Sequence, residues 1–370
     1  VEKKRLRVGV LFGGRSGEHE VSLASARSVL GALDRSRYEV LPIGITPDGE
    51  WWLVSGPDEL VEGKGSQTGV VPGLGGRPLV SMGLGGGAAH RTEQSLDVAF
   101  PVLHGTYGED GTVQGLLELL GVPYVGPGVM ASAMGMDKAV MKMAFQHAGL
   151  PVVPYRVLMV TAWQDDAAAV TSAVEQHVRF PMFVKPSNLG SSVGVSKATD
   201  RAGLRRAIDE AFRYDRKILV EQGLECREIE CGILGNDQPE ASALAEILPK
   251  RDWYDYRAKY EPGMSEVLIP ASLPSSLTQQ IQAQAIQAYQ AIDCSGMARI
   301  DFFLDRASAQ PYVNEINTIP GFTATSVYPK LWETSGLSYP ALLDRLIQLA
   351  LERHDQRGQL LTTYQAAKDR

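Results

Sequence analysis

Two short stretches near the C-terminus hold the residues best suited to chemistry: Arg299-Ile300-Asp301-Phe302-Phe303 and Val313-Asn314-Glu315-Ile316-Asn317. Side chains alternate across a strand, so Arg299 and Asp301 share one face, as do Glu315 and Asn317. The connection from Asp305 to Gln310 is short enough for a hairpin, which would gather all four on one surface. Three oxygen donors suit Mg²⁺, which takes a few carboxylates and completes its shell with phosphate oxygens and water. An adjacent arginine suits negative charge developing on a phosphate or an oxyanion. The same residue types would also build a solvent-facing, salt-bridged hairpin, and the pattern alone leaves both readings open.

Further upstream, Lys185-Pro186-Ser187-Asn188-Leu189-Gly190-Ser191-Ser192-Val193-Gly194 sets a lysine at a strand end before glycines and hydroxyls. Such a loop offers a charge and backbone N–H groups to a polyphosphate. It is no Walker A loop, since GxxxxGK[ST] occurs nowhere in the chain. Gly13-Gly14 departs from the GxGxxG dinucleotide pattern, which argues against a Rossmann oxidoreductase. The run His104-Gly105-Thr106-Tyr107-Gly108-Glu109-Asp110-Gly111 follows an apolar strand, where open α/β sheets bind their ligands. A lone histidine is more often structural than catalytic, so His104 counts only in combination. Trp253–Tyr260, aromatic and charged between Pro249 and Pro262-Gly263, suits a lid over a nucleotide or an ordinary surface loop.

The elements that would position these residues follow from periodicity. Arg7–Phe12 is a short apolar strand running into Gly13-Gly14, and Glu18–Leu33 has apolar residues at near-helical spacing. Strand, glycine turn and helix open a parallel α/β sheet, to which Glu39–Ile45, Leu96–Leu103 and Pro123–Val125 add strands and Val113–Leu120 a helix. Ten of the thirty residues 62–91 are glycine, marking a surface insertion. A second region opens near Met134. Its helices are Lys138–Ala148, Asp165–His177 and Ser276–Ala291, with Tyr339–Arg353 closing the chain. Its extended segments are Val152–Leu158, Phe180–Pro186, Ile218–Glu221, Arg227–Leu234, Ala298–Leu304 and Tyr312–Ile316. No internal repeat is evident.

With 370 residues, 44% of them hydrophobic, two or three domains are expected. A formal charge of −7 argues against a nucleic-acid partner, whose binding face needs a basic field. The three cysteines, 226, 231 and 294, form no CxxC pair, so neither a zinc site nor a disulfide framework is supported. The apolar run Val8–Phe12 is too short for a signal-peptide core, and nothing reaches the length of a membrane span. A cytoplasmic location is expected.

Taken in order, these segments are similar to those of the D-alanine–D-alanine ligases of the ATP-grasp superfamily. The resemblance is carried by Phe12–Ser22, His104–Gly111, Met136-Asp137-Lys138, Lys185–Gly194, Glu225–Glu230, Tyr254–Tyr260, Arg299–Asp301 and Asn314–Thr323. Any one is weak; the ordered set spans nearly the whole chain and is specific.

The resemblance implies an N-terminal parallel α/β domain (1–130), then a two-lobed ATP-grasp fold. Its central lobe would be 131–225 and its C-terminal lobe 226–370, with a lid loop at about 249–265. It implies ATP and two Mg²⁺ ions, with Mn²⁺ as an alternative. Asp301, Glu315 and Asn317 would be the metal ligands, Lys138, Lys185 and Ser192 would serve the phosphates, and Lys259 would reach the γ-phosphate from the lid. Glu221, Gln222 and Leu224 would line the adenine pocket, with Glu228 on the ribose. Glu18 would bind the ammonium of the first D-alanine, with Ser191 and Tyr260 as its hydrogen-bonded partners and His104 nearby. Arg299 and the Gly321 N–H would stabilise the oxyanion, and Ser326 would meet the second carboxylate. Many relatives carry a lysine where this chain has Gln222, which puts nucleotide affinity in question. A homodimer and a role in peptidoglycan precursor synthesis are also implied. Two alternatives are a depsipeptide-forming relative that takes D-lactate, which carries histidine where Tyr260 stands, and an inactive nucleotide sensor, which would have lost a metal ligand.

Overall fold

The computed structural model describes residues 5–70, 79–81, 92–191, 193–249 and 265–361. Three β-sheets organise them.

The first sheet comprises β1 (Leu6–Gly13), β2 (Tyr38–Ile45), β3 (Trp51–Leu53), β4 (Ser66–Val70), β5 (Leu79–Ser81), β6 (Thr92–Gln94) and β7 (Val98–Pro101), ordered β6-β5-β4-β3-β2-β1-β7. Only its centre is parallel: β1 runs with β2 and β7, while β2 through β6 form an antiparallel meander. The expected surface insertion at 62–91 thus contributes two strands, β4 and β5, to the sheet edge. Pro123–Val125 makes a single bridge, Tyr124 to Ala99, rather than a full strand. The turn after β1 demands glycine. Gly13 has φ +88, and a Cβ there would lie 2.2 Å from the Ile45 carbonyl oxygen. Ser22 of the following helix, His19–Ala32, accepts the Gly13 N–H at 2.8 Å and donates to the Val102 carbonyl. That serine fixes the helix start against the ends of β1 and β7, where the sheet opens to a ligand.

The second sheet is antiparallel, ordered β10-β9-β11-β8, from β8 (Tyr155–Met159), β9 (Met182–Pro186), β10 (Ser196–Ala198) and β11 (Lys217–Gln222). Three helices cover one face, Val160–Asp165, Ala167–Glu175 and Arg201–Ala211, through a core of Trp163, Val174, Leu204 and Ile208. The helix expected over Asp165–His177 runs from Ala167 to Glu175, starting after Asp166, whose side chain accepts the Ala168 and Ala169 N–H groups; a short helix, Val160–Asp165, precedes it.

The third sheet, also antiparallel, is ordered β14-β13-β12-β15-β16: β12 (Cys226–Gly235), β13 (Glu240–Pro249), β14 (Ser265–Leu268), β15 (Gly296–Asp305) and β16 (Pro311–Asn317). Helices Ser275–Ala291 and Lys138–His147 bury its inner face, bringing Tyr289, Ala285, Met141 and Phe145 against Ile229, Cys231, Ile300 and Phe302. With the odd-numbered residues of β15 turned outward, Arg299 and Asp301 face away from that core. No helix among the described residues is long and apolar enough to cross a membrane.

Candidate active site

The β15–β16 hairpin places Asp301 opposite Glu315 and Arg299 opposite Asn317. Its register shifts between Asp301 and Phe302, so that Phe302 pairs with Val313. This β-bulge has a purpose visible in the burial pattern. Val313 and Ile316 both reach the core, while Asn314, Glu315 and Asn317 all stay partly exposed. A regular strand could not put both Asn314 and Glu315 on the outer side. Arg299 grips Asp301 with two 2.7 Å hydrogen bonds, and its Nε lies 3.1 Å from Glu230 Oε2. Asn317 Nδ2 donates to Asp301 Oδ2 at 3.0 Å. Among the described residues no group of three His, Cys, Asp or Glu side chains is assembled for a metal. The hairpin instead offers two carboxylates and an amide, the partial oxygen set that suits a hard divalent ion sharing its shell with phosphates.

Facing this hairpin is a buried ion cluster. Lys185 of β9 lies 2.6 Å from Glu221 Oε2 and 3.4 Å from Asn314 Oδ1. Lys142 lies 3.3 Å from Glu221 Oε1 and donates to the Asn314 carbonyl at 3.1 Å. Burial opposes every charge here. It wins at Lys142, pulling that ammonium below its ordinary range despite Glu221. At Lys185, burial is outweighed by Glu221, Glu315 and Glu228, which hold its pKa above the usual value. At Glu221, burial yields to Lys142 and Lys185, and the carboxyl sits below its ordinary range. Lys138, opening its helix, donates from Nζ to the Leu189 carbonyl at 2.8 Å and lies 3.8 Å from Glu315.

At the other end stands Glu18, just before helix His19–Ala32. Its carboxylate accepts a short hydrogen bond from Ser191 Oγ. Two glycines make room for it: a Cβ on Gly105 or Gly190 would lie 2.8 or 2.9 Å from Glu18 Oε2. Next to it His104 is buried, with Nδ1 3.4 Å from Glu109 Oε1 and Nε2 3.0 Å from Ser25 Oγ. Burial would lower the His104 pKa, but Glu109 and Glu18 hold it above the ordinary imidazole value. Burial, with Glu18 close by, raises Glu109. Ser25 Oγ also accepts the Phe322 N–H at 3.3 Å, tying the first helix to the loop after β16. In that loop Ser326 Oγ accepts the Thr323 N–H at 3.0 Å, and a Cβ on Gly321 would lie 2.7 Å from it.

One cleft of about 1090 Å³ runs through all three regions. It is lined by Glu18, His104, Lys138, Lys185, Ser191, Glu221, Gln222, Leu224, Glu228, Arg299, Asp301, Glu315, Asn317, Gly321 and Ser326. Every described residue given a site role by the resemblance therefore lines the same cleft. Ser192, Lys259 and Tyr260 lie outside the described residues, as does 250–264, which holds all but the two end residues of the lid expected at about 249–265.

Two family models match this chain: "D-ala D-ala ligase N-terminus" over residues 7–127 and "D-ala D-ala ligase C-terminus" over 144–348. The chain belongs to the D-alanine–D-alanine ligase family. A D-alanine–D-alanine ligase of Heliobacterium modesticaldum is 49% identical, covering 95% of this chain and 96% of its own. One of Geobacillus thermodenitrificans is 47% identical, covering 98% and 100%. Among solved structures, the D-alanine–D-alanine ligase of Coxiella burnetii superposes with a TM-score of 0.85 at 38% identity, covering 96% of this chain and 97% of its own. The VanG D-Ala:D-Ser ligase of Enterococcus faecalis gives 0.83 at 33%, covering 94% and 100%. The antiparallel second and third sheets with the cleft between them are the two lobes of the ATP-grasp fold.

The ligase cleft and the buried cluster beside it also hold residues to which the sequence assigns no role, Glu230 in the first and Lys142 in the second. Glu230 lies two residues beyond Glu228 on β12, hence on the same face. Lys142 lies four beyond Lys138 on one helix, again the same side. Both spacings were available as signals. The bulge that exposes Asn314 had none, because it depends on the partner strand.

Proposed function

We propose that this ligase joins two D-alanines into D-alanyl-D-alanine with conversion of ATP to ADP and phosphate, through a D-alanyl phosphate, for peptidoglycan precursor synthesis. The observation that carries this reading is a single cleft with three chemistries in sequence. Glu18 with Ser191 lies at one end, the Arg299–Asp301–Glu315–Asn317 hairpin in the middle, and Lys138 and Lys185 beside it.

A carboxylate is a poor acyl donor, so the first D-alanine must be activated. Glu18 holds its ammonium and points its carboxylate toward the γ-phosphate of ATP, which Lys138 and Lys185 steady. Glu221, Gln222 and Leu224 border the adenine, Glu228 meets the ribose, and Ser192 and Lys259 join the phosphate contacts. Asp301, Glu315 and Asn317 fit two Mg²⁺ ions, which Mn²⁺ could replace. Metal bound there would neutralise charge on the phosphoryl group in transfer. Once the acyl phosphate exists, the amine of the second D-alanine attacks its carbonyl carbon and phosphate leaves. Arg299 and the Gly321 N–H stabilise the tetrahedral oxyanion, and Ser326 holds the second carboxylate. His104, buried against Glu109, shapes the first-substrate pocket, and Tyr260 completes the trio with Glu18 and Ser191. We place the enzyme in the cytoplasm as a homodimer.

The test is phosphate release with ATP, Mg²⁺ and amino acid. D-Alanine should drive turnover, L-alanine should not, and replacing the second D-alanine by D-lactate or D-serine should yield little mixed product. Release independent of D-alanine would end the ligase reading; comparable D-lactate or D-serine product would redirect the second-substrate assignment.

A further inference from the structure

The buried cluster facing the hairpin closes into a ring: Lys142 to Glu221, Glu221 to Lys185, Lys185 to the Asn314 side chain, and the Asn314 carbonyl back to Lys142. It links a helix, two strands of the second sheet and the bulge of β16. Lys142 is 1% exposed and, unlike Lys185, does not line the cleft. A lysine buried so fully is costly to keep, and no substrate can touch it.

Charge within the ring suggests its use. Lys142 and Lys185 carry two positive charges and Glu221 one negative, leaving one positive. Without Lys142, Glu221 would cancel Lys185, the lysine that faces the cleft. The carbonyl that Lys142 holds also belongs to the residue preceding Glu315, inside the bulge. We infer that Lys142 is a positioning residue: it neutralises Glu221 so that the Lys185 charge remains available to the nucleotide phosphates, and it pins the bulge that presents Glu315. This rests on the reading of Lys185 as a phosphate contact.

The test compares the full-length ligase with K142M, K185M and the double variant K142M/E221Q. The readouts are dissociation constants for ADP and for adenosine, with KM for ATP and kcat measured separately. K142M should weaken ADP about tenfold, an order of magnitude in keeping with losing one of two charges near a buried partner. Adenosine affinity should change little, and KM for ATP should rise more than kcat falls. Removing the unmatched carboxylate in K142M/E221Q should restore the ADP-to-adenosine affinity ratio to near that of the wild type. A merely structural lysine would instead leave the double variant at least as impaired as the single one, overturning the inference. Should K142M fail to fold, the double variant, which buries no lone charge, decides alone: a wild-type ratio supports the inference and a tenfold lower one ends it. K185M separates the two levels. If it leaves ADP affinity intact, the phosphate role of Lys185 fails; if it weakens ADP while K142M does not, only the role of Lys142 fails.

Discussion

At the scale of single residues, the two carboxylates of the hairpin keep different described partners. Asp301 is doubly bound by Arg299, whereas Glu315 faces Lys138 at 3.8 Å across the cleft. Glu315→Gln keeps the shape and removes the charge, so ADP formation should fall by at least a hundredfold, about 2.7 kcal/mol of barrier or more. The thermal midpoint should stay within a few degrees, because a partly exposed side chain is altered. Coupled assay of ADP release beside a melting curve checks this, and turnover near the wild-type rate would remove the metal assignment. Glu315 and Asp301 were legible because period-two alternation needs only the strand itself. Asn314 was not, since the bulge arises from fitting Val313 and Ile316 into a core shared with distant elements.

At the scale of elements, the loop carrying Ser191 is anchored by polar contacts at its base. Asp137 caps the helix Lys138–His147 by accepting the Ala139 and Val140 N–H groups, pairs with Lys217, and accepts a 2.8 Å bond from Ser187 Oγ. Burial would raise its pKa, but Lys217, Ser187 and the Val140 N–H hold the carboxyl below its ordinary value. Its stabilising contribution is thus complete above the ordinary aspartate pKa and is lost as pH falls through the lower folded value. Asp137→Ala should cost about 1–2 kcal/mol for the cap alone, and somewhat more because Lys217 loses its partner. Urea unfolding should show a constant gap to the wild type from pH 7 down to about 5, narrowing only below about 3.9. A gap that widens toward acid would refute the assignment. Elements differ in how openly the sequence declares them. Arg201–Ala211 places Leu204, Ala207, Ile208 and Ala211 on one helical face after an Asp200 cap, a pattern that the sequence carries on its own. The strand β13 is harder: Glu240-Ala241-Ser242-Ala243-Leu244-Ala245 has the alanines of a helix. Pairing with β12 and β14 overrides that preference.

At the scale of the whole molecule, the sequence suggests an N-terminal domain ending near residue 130, yet the core crosses that point. Val8, Phe12, Leu23 and Phe100 of the first sheet and its helix pack in one cluster with Phe322, Tyr328, Leu342 and Leu346. Phe322 sits edge-on to Phe100 and Tyr328, both at 5.9 Å between ring centres. Arg353 of the last helix, Tyr339–Gly358, stacks on Tyr124 at 4.4 Å and donates to the Tyr124 carbonyl at 2.9 Å. That helix buries Leu342, Leu343, Leu346, Ile347 and Leu349. At about 2 kcal/mol for each buried aliphatic side chain, its removal forfeits roughly 10 kcal/mol, an upper figure because unfolded chains are partly compact. Total stability for a domain is only about 5–15 kcal/mol. A chain ending at residue 337 should therefore lose the first sheet as well as the helix. Hydrogen exchange should report it: the β1 amides, Leu6–Gly13, ought to exchange at rates close to those of an unfolded peptide. In the same truncated chain the second sheet, whose core of Val174, Leu204 and Ile218 owes nothing to that helix, should keep its protection. Protected β1 amides would mean that the first sheet stands alone, and that the cleft joins separately stable parts rather than forming at a shared core.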